Sequence, residues 1–488
     1  MCFAVPTILY AQNGESFEEY KNRKRTEFSG YVSRKRRDFD EYRRRRNAEF
    51  AEYVRKAWQQ FEPQPVIPHP KDNPTPPVVI PDDQQPPVIN PQPVIIDEVI
   101  TPPSPQPQPE PVEPIDEEDM QSTQTVSFVF FGTAEKVRVD KSEMFKLNSI
   151  DENSVADAWL ELSGDNYTNL VYDCLEIRKR RQLCDWAYLM MLCSMADEVC
   201  GKETNESVLL TAYVYCQSGY KMRLGSADGH LHMLFASEHL IYNWPYYDLD
   251  GKKYYPLSKI EGNINICSQS YPKESSMSLY ITREQIFEYS QTTFSEHVSK
   301  HYPDMDVTLC VNKNLLDFYT SYPTSMIGEN PVSRWAMYAN TPISSRVKSM
   351  LYPELKKSIS GCGQLEAVEK LLNWVQTGFE YEYDEKVWGA DRAFFAEESL
   401  YYPYCDCEDR SILFSHLVRD LLDLDVILVF YPRHLATAIR FVSEVQGDYI
   451  MLNGSKYVIC DPTYIGAKVG MTMPDMDNTT AKVILIGD

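Results

Sequence analysis

Nineteen of the 32 prolines in this 488-residue chain fall between residues 62 and 118. Proline fixes φ and lacks a backbone N–H, so a run this dense can build neither a helix nor the interior of a sheet. Interleaved with Gln, Val, Ile and acids, the segment is expected to be extended polyproline II, a semi-rigid spacer that joins no core. At ~3.1 Å per residue it could hold whatever precedes it over ~100 Å from the rest. The chain then divides into a signal-like segment at 1–11, a basic helix at 12–61 and a linker at 62–120. A mostly helical region at 121–208, a β-rich domain or insert at 209–330 and a last α+β domain at 331–488 follow.

The arm before the prolines has an internal repeat. Phe17, Phe28, Phe39, Phe50 and Phe61 stand eleven residues apart, and Tyr20, Tyr31, Tyr42 and Tyr53 follow the first four at +3. Eleven residues make close to three helical turns, so the aromatics fall on one helix face. Arg34-Lys35-Arg36-Arg37 and Arg43-Arg44-Arg45-Arg46 lie between them. Such a helix is either a solvated charged surface or a face for self-association, partner docking or an anionic surface. Residues 17–61 carry 14 Lys+Arg against 8 Asp+Glu, a local +6 in a chain of formal net charge −23, leaving −29 elsewhere. That acidic body argues against nucleic acid as the main ligand.

Chemistry concentrates near the other end. In Tyr404-Cys405-Asp406-Cys407-Glu408-Asp409-Arg410-Ser411 a thiol stands where a helix begins, because Leu413, Phe414, Leu417, Val418, Leu421 and Leu422 recur at helical spacing. Unpaired N–H groups at a helix start favour a thiolate and can hold an oxyanion. Residues 426–430 and 435–442 read as strands, and 449–452 with 456–459 as a hairpin around Asn453-Gly454. His434 opens a strand and Asp461 closes the hairpin, so both can lie on neighbouring strands facing the helix. A cysteine nucleophile needs a base and a group to orient it, and Cys407, His434 and Asp461 supply them in that order. Singly each has a plainer reading: a small buried thiol, a satisfied histidine, an Asp-Pro turn.

Residues 365–470 resemble the transglutaminase-like superfamily, whose core is related to papain-type thiol proteases. The resemblance starts in the helix ending Asn373-Trp374-Val375-Gln376, then Phe379-Glu380-Tyr381, then Glu397-Glu398-Ser399-Leu400. Cys407-Glu408-Asp409-Arg410-Ser411 matches the family's C-x-D-x-A/S and selects Cys407 over Cys405 as nucleophile. His434 matches the base, and Asp461-Pro462-Thr463 matches the D-P-T ending. Cys405 and Arg433 replace glycines of the family pattern, and Ala436 replaces an aromatic. The resemblance implies an α+β, papain/transglutaminase-like core, with the Cys-bearing helix packed on an antiparallel sheet. It also implies acyl transfer from, or hydrolysis of, an amide in a protein or peptide through a thioester. The alternative is a catalytically silent member serving as a binding or assembly module at a bacterial cell envelope.

No metal and no cofactor are assigned. Cys405, Cys407, His434 and Cys460 could suggest zinc, but C-x-C is not the usual ligand pair, and Cys460 and Asp461 point to opposite strand faces. A Cys405–Cys407 disulfide would be strained. Residues 2–11 form an apolar run resembling the end of a secretory signal cleaved after Ala11, which favours export to a periplasm or cell surface over the cytoplasm. The scatter of the 12 cysteines, several inside expected helices, looks more like buried thiols than a disulfide framework. The run is too short to span a bilayer, and nothing else in the sequence is long enough.

Overall fold

Val426–Tyr431 is apolar at every position, the pattern of a strand covered on both faces, and it lies inside a six-stranded sheet. The computed structural model describes residues 17–70, 74–81, 83–84, 90–117, 124–328 and 330–487, so the signal-like segment lies outside the described residues. Across that sheet the strands run Tyr449–Leu452, Ser455–Cys460, His434–Ile439, Val426–Tyr431, Ala481–Leu485 and Ile96–Ile100. All neighbours are antiparallel except the last pair. The turn at Asn453-Gly454 has φ of 50° and 79°, the doubly positive geometry that suits a tight hairpin.

One face of this sheet buries Ile427, Val429, Ala436, Ala438 and Ile459 together. The other is covered by the helices Gln364–Thr377 and Cys407–Leu422. Their Val368, Leu371, Trp374, Leu413, Phe414 and Leu417 share a core with Val426, Ile439 and Val458. The protein is thus mixed α and β with antiparallel sheets. A second six-stranded sheet holds Trp58–Phe61, Ile264–Cys267, Met222–Ala227, His230–Ala236, Lys252–Pro256 and Tyr247–Leu249, in that order. Its hairpins turn at Asp228-Gly229 and Asp250-Gly251, all four residues at positive φ. Among the described residues, no helix is long and apolar enough to cross a membrane.

The region from residue 209, expected to be β-rich, does not begin with strands. Residues 209–217 belong to the helix Asn205–Gln217, capped by the Thr204 hydroxyl accepting from Ser207 N–H. Every residue from Leu209 to Gln217 is buried, so the helix has no polar face to betray its period, and its Tyr, Val and Thr mimic a strand. Residues 278–282, in the same region, form no ladder.

The proline-rich segment is not a free spacer. Polyproline backbone makes no internal hydrogen bonds, so the N–H groups between its prolines are available to the body, and they are used there. Thr75 N–H donates to Arg433 O at 2.8 Å, Ile80 N–H to Ile465 O at 2.9 Å and Val94 N–H to Tyr449 O at 2.8 Å. Ile465 N–H returns a bond to Val78 O at 2.8 Å. Val94, Ile100 and Val112 are buried. Pairing with Tyr449 on one edge strand and with Ala481–Ile484 through Ile96–Ile100, this one segment occupies both edges of the C-terminal sheet. Open edges are aggregation-prone, and the belt covers them.

The basic helix is docked too. It spans Phe17–Val54, ending before Phe61, which pairs instead in the strand Trp58–Phe61. Its last turns bury Arg43, Asn47, Phe50, Ala51 and Val54. Asn47 Oδ1 accepts from Trp159 Nε1 at 3.0 Å and from Gln217 Nε2 at 3.1 Å. Phe50 packs 4.8 Å from Trp159 and 5.3 Å from Tyr271, ring centre to ring centre. Phe17, Phe28 and Tyr31, earlier in the same repeat, are exposed. Phe50→Ala should therefore destabilise by about 3–5 kcal/mol. Phe28→Ala, at 68% exposure, should stay within ~0.5 kcal/mol. Urea unfolding of the two variants checks this; equal effects would mean the helix is not seated on the body.

Candidate active site

Asp406 ends a short extended segment, and Cys407 begins the helix Cys407–Leu422. The Asp409 carboxylate reaches back to accept from Asp406 N–H at 3.4 Å, as in a capping box, and its other oxygen accepts from Phe394 N–H at 2.8 Å. Arg410, next along, donates from Nη1 to Gln376 O at 3.1 Å and from Nη2 to Phe379 O at 2.9 Å. Both side chains are buried and spend themselves on backbone groups, which fixes the helix start against the end of Gln364–Thr377. One turn on, the Ser411 hydroxyl donates to Leu435 O at 2.8 Å and pins the helix to the His434–Ile439 strand.

His434 and Asp461 are joined. His434 Nε2 lies 2.8 Å from Asp461 Oδ2, and each residue is 1% exposed. Asp461 Oδ1 accepts from Thr463 N–H at 2.9 Å and Tyr464 N–H at 3.2 Å, so the Asp-Pro-Thr turn aims the second oxygen at the ring. The other ring nitrogen, Nδ1, is buried with no hydrogen-bond partner. With Asp461 accepting, Nε2 carries the proton and Nδ1 offers a lone pair, the tautomer a base needs.

Cys407 is brought close to this pair but not onto it. The thiol is 2% exposed, beside the backbone N–H of Leu435, the residue after His434. Its Sγ donates to Glu408 Oε2 at 3.0 Å rather than to His434. The pleat explains the offset: Leu435 shares a core with Cys407, whereas His434 alternates with Ala436 and Ala438 on the other face, its ring stacked on Tyr431. The histidine therefore does not face the helix as the strand pattern suggested. The expectation of a thiolate also fails in this conformation. Burial, and then Glu408 and Asp406, push the Cys407 thiol well above its ordinary range, outweighing the helix dipole.

Gln376 and Tyr381 matter more than their place in the sequence suggests. Gln376 Nε2 donates to the carbonyls of Asp461, Tyr464 and Ala467 at 3.1, 2.8 and 3.2 Å, and its Oε1 accepts from Gly466 N–H at 3.3 Å. It holds the whole loop that carries Asp461. The buried Tyr381 hydroxyl has no partner and lies near enough to Cys407, Asp406 and Glu408 that, after burial itself, they resist its ionisation. Cys405 and Cys460 sit in the apolar core with Trp374, and the eleven cysteines of the described residues are all free thiols.

Two sets of side chains converge closely enough to hold a metal ion: Asp406, Cys407 and Glu408, and Asp384, Asp391 and Glu408. Next to them lies a cavity of about 360 Å³ lined by Pro74, Tyr383, Asp384, Asp391 and Asp406 among others. No family model, curated protein or solved structure matches this chain.

Glu397, in the short helix Ala396–Tyr401 that precedes Cys407, gives a pH test of the surrounding scaffold. It is fully buried, accepts from Ser344 N–H at 2.5 Å through Oε1, and has no partner on Oε2. Burial pushes its carboxyl up to about 7. A raised folded-state value means stability is fully present below the unfolded value of ~4.3 and is lost as pH rises through ~7, on the order of 3–4 kcal/mol. Glu397→Gln keeps the acceptor for Ser344. It should flatten the fall of melting temperature between pH ~5 and ~7.5, and an unchanged pH slope would contradict the assignment.

Proposed function

We propose that this protein performs thiol-dependent acyl transfer or hydrolysis on an amide, with Cys407 as nucleophile, His434 as base and Asp461 as the group that orients it. The observation that carries the reading is the buried His434–Asp461 hydrogen bond of 2.8 Å, with Nδ1 left free of any partner. A buried imidazole held by a carboxylate on one nitrogen and unpartnered on the other is costly unless the second nitrogen has work to do. The Cys407 thiol is beside the backbone N–H of Leu435, the next residue of the same strand, and would have to leave Glu408 and reach round the strand to meet His434.

In this mechanism His434 Nδ1 takes the thiol proton as Sγ attacks the amide carbonyl. The imidazolium, stabilised by Asp461, then gives that proton to the leaving amine. The C–N bond breaks, leaving a thioester on Cys407, and water or a second amine resolves it by the same proton relay in reverse. N–H groups of the first helical turn and the Tyr381 hydroxyl are the donors for the oxyanion. A papain/transglutaminase-like core is the fold this reading implies. The acidic body suits a protein or peptide substrate, and the exposed aromatics of the basic helix suit partner docking or self-association.

The suppressed ionisation of the buried Cys407 thiol favours one competing reading, a silent binding module that retains the fold. Iodoacetamide labelling of Cys407 near pH 6.5, followed by peptide mass spectrometry, separates the two. A histidine-paired thiol is labelled fast there, and both His434→Ala and Asp461→Asn should slow it by about tenfold or more. Slow labelling that is equal in all three proteins would leave the silent module.

A further inference from the structure

The aromatic repeat of the basic helix runs past the body that seats its end. Among the described side chains of Phe17–Val54, burial begins at Arg43, which donates to Thr168 Oγ1 at 3.0 Å. It continues through Asn47, Phe50, Ala51 and Val54. Upstream, Phe17, Tyr20, Phe28, Tyr31 and Phe39 are 64, 40, 68, 53 and 38% exposed. At 1.5 Å per residue, Phe17 and Phe39 stand about 33 Å apart along the axis. One face of that length therefore presents a continuous row of rings to water, the mark of a surface that something covers.

The charges inside the row identify what covers it. Lys24 and Lys35 stand seven residues after Phe17 and Phe28, and Glu27 and Asp38 stand seven after Tyr20 and Tyr31. Seven residues are close to two helical turns, so all four lie in the row, one base and one acid per repeat. The surplus bases Arg25 and Arg37 fall roughly a quarter turn or more away from it. An anionic lipid surface or an acidic partner would meet Glu27 and Asp38 and be repelled. A row that is neutral in sum and alternates in sign instead complements a copy of itself. In the single chain Glu27 is paired along the helix with Arg23 and Lys24, both at 2.7 Å, and Asp38 with Lys35 at 3.8 Å. Exposed pairs of this kind contribute little, so exchanging them for pairs across a seam costs little. The strict eleven-residue spacing fits the same reading, because helices that pair along their length hold the contact row to a fixed period.

We infer that two copies of this chain associate through residues 17–42, their helices antiparallel and centred on Tyr31. That register sets Lys24 of one copy opposite Asp38 of the other and Glu27 opposite Lys35, each twice by the two-fold symmetry. Tyr20 comes opposite Tyr42, and the Phe28 rings fall on either side of the centre. The exposed rings of the two rows, each with roughly 100 Å² to cover, supply about 1,000 Å², the size at which a specific interface begins. The antiparallel sense follows from the charge of the whole chain. Residues 17–61 carry +6 against −29 elsewhere, so parallel helices would set two acidic bodies side by side. Antiparallel helices hold the bodies apart and point each basic helix start at the partner's acidic body.

The association is independent of the triad and stands whether or not Cys407 is a nucleophile. Its test is the mass of the full chain by analytical ultracentrifugation, from submicromolar to tens of micromolar. The 56.5 kDa chain should pass to twice that mass within this range. The Phe28→Ala, Tyr31→Ala double variant should stay at the mass of one chain. Both residues are exposed in the single chain, so at submicromolar concentration the variant should keep the wild-type urea midpoint. Two further variants, Lys24→Glu with Lys35→Glu and Glu27→Lys with Asp38→Lys, set like charges across the seam. Each alone should weaken association about tenfold or more. Mixed, the two should form a one-to-one hybrid, in which every pair across the seam is again of opposite sign. The inference is overturned if the wild type keeps the mass of one chain throughout, or if the dimer survives Phe28→Ala with Tyr31→Ala. Charge variants that fail to combine when mixed would overturn it too. A single-chain mass with binding to phosphatidylglycerol vesicles would also overturn it, by assigning the row to an anionic surface.

Discussion

Gln376 is the joint on which the site depends. At the end of one buried helix, its two amide hydrogens are shared among the carbonyls of Asp461, Tyr464 and Ala467, while its own backbone carbonyl accepts from Arg410. That residue thereby ties the start of the Cys407 helix to the loop that carries Asp461. Each bond alone is worth roughly 1 kcal/mol. Their collective effect is positional, since they bring side chains 54 residues apart in sequence (407 and 461) to one end of one sheet. Asp461 can then hold His434 through one oxygen because its other oxygen is already occupied by Thr463 and Tyr464 N–H groups.

The start of that helix is under electrostatic tension. Its dipole favours negative charge, but Asp406, Glu408 and Asp409 are all buried there, with Asp384 close by, and each is held toward its protonated form. Asp409 relieves its share through two backbone donors. Glu408 does so through the Cys407 thiol, which couples that thiol to the surplus of acid beside it. The same carboxylate thus engages the thiol and is shared by both sets of converging side chains. The belt segment of residues 74–81 runs beside the His434–Asp461 pair. It bonds to Arg433, which precedes His434, and to Ile465, which follows the Asp461 turn, and Val78 and Ile80 pack against Tyr464, Ala467 and Met471.

What could be read from sequence was local. Asn453-Gly454 marks a turn by its own backbone preference, and the spacing after Cys407 marks a helix by its buried stripe. Both stand in the structure at those positions. The aromatic repeat shows where such reading stops. Phe28 and Phe50 occupy equivalent places in it, yet one is exposed and the other is buried against Trp159 and Tyr271. Only distant neighbours distinguish them. The proline belt eluded the sequence for a related reason: a segment that cannot pair with itself can still pair with an edge, and no local pattern records which edge. Asp384 and Asp391 were likewise invisible, because they reach Glu408 from a four-residue helix and the loop after it, too short to show a period. Gln376 stood within the recognised motif, but a single glutamine after a helical Trp-Val carries no sign of the carbonyls it will meet.

The central claim, that Cys407 and His434 work together, is tested most directly by acylation. Intact mass spectrometry and peptide mapping after brief exposure to a p-nitrophenyl acyl ester would count and locate transferred acyl groups. The proposed relay predicts a single hydroxylamine-labile acyl group on Cys407, formed in a burst and absent in His434→Ala. Acyl groups scattered over surface lysines with Cys407 unmodified, or equal acylation of Cys407 in the wild type and the His434 variant, would contradict it.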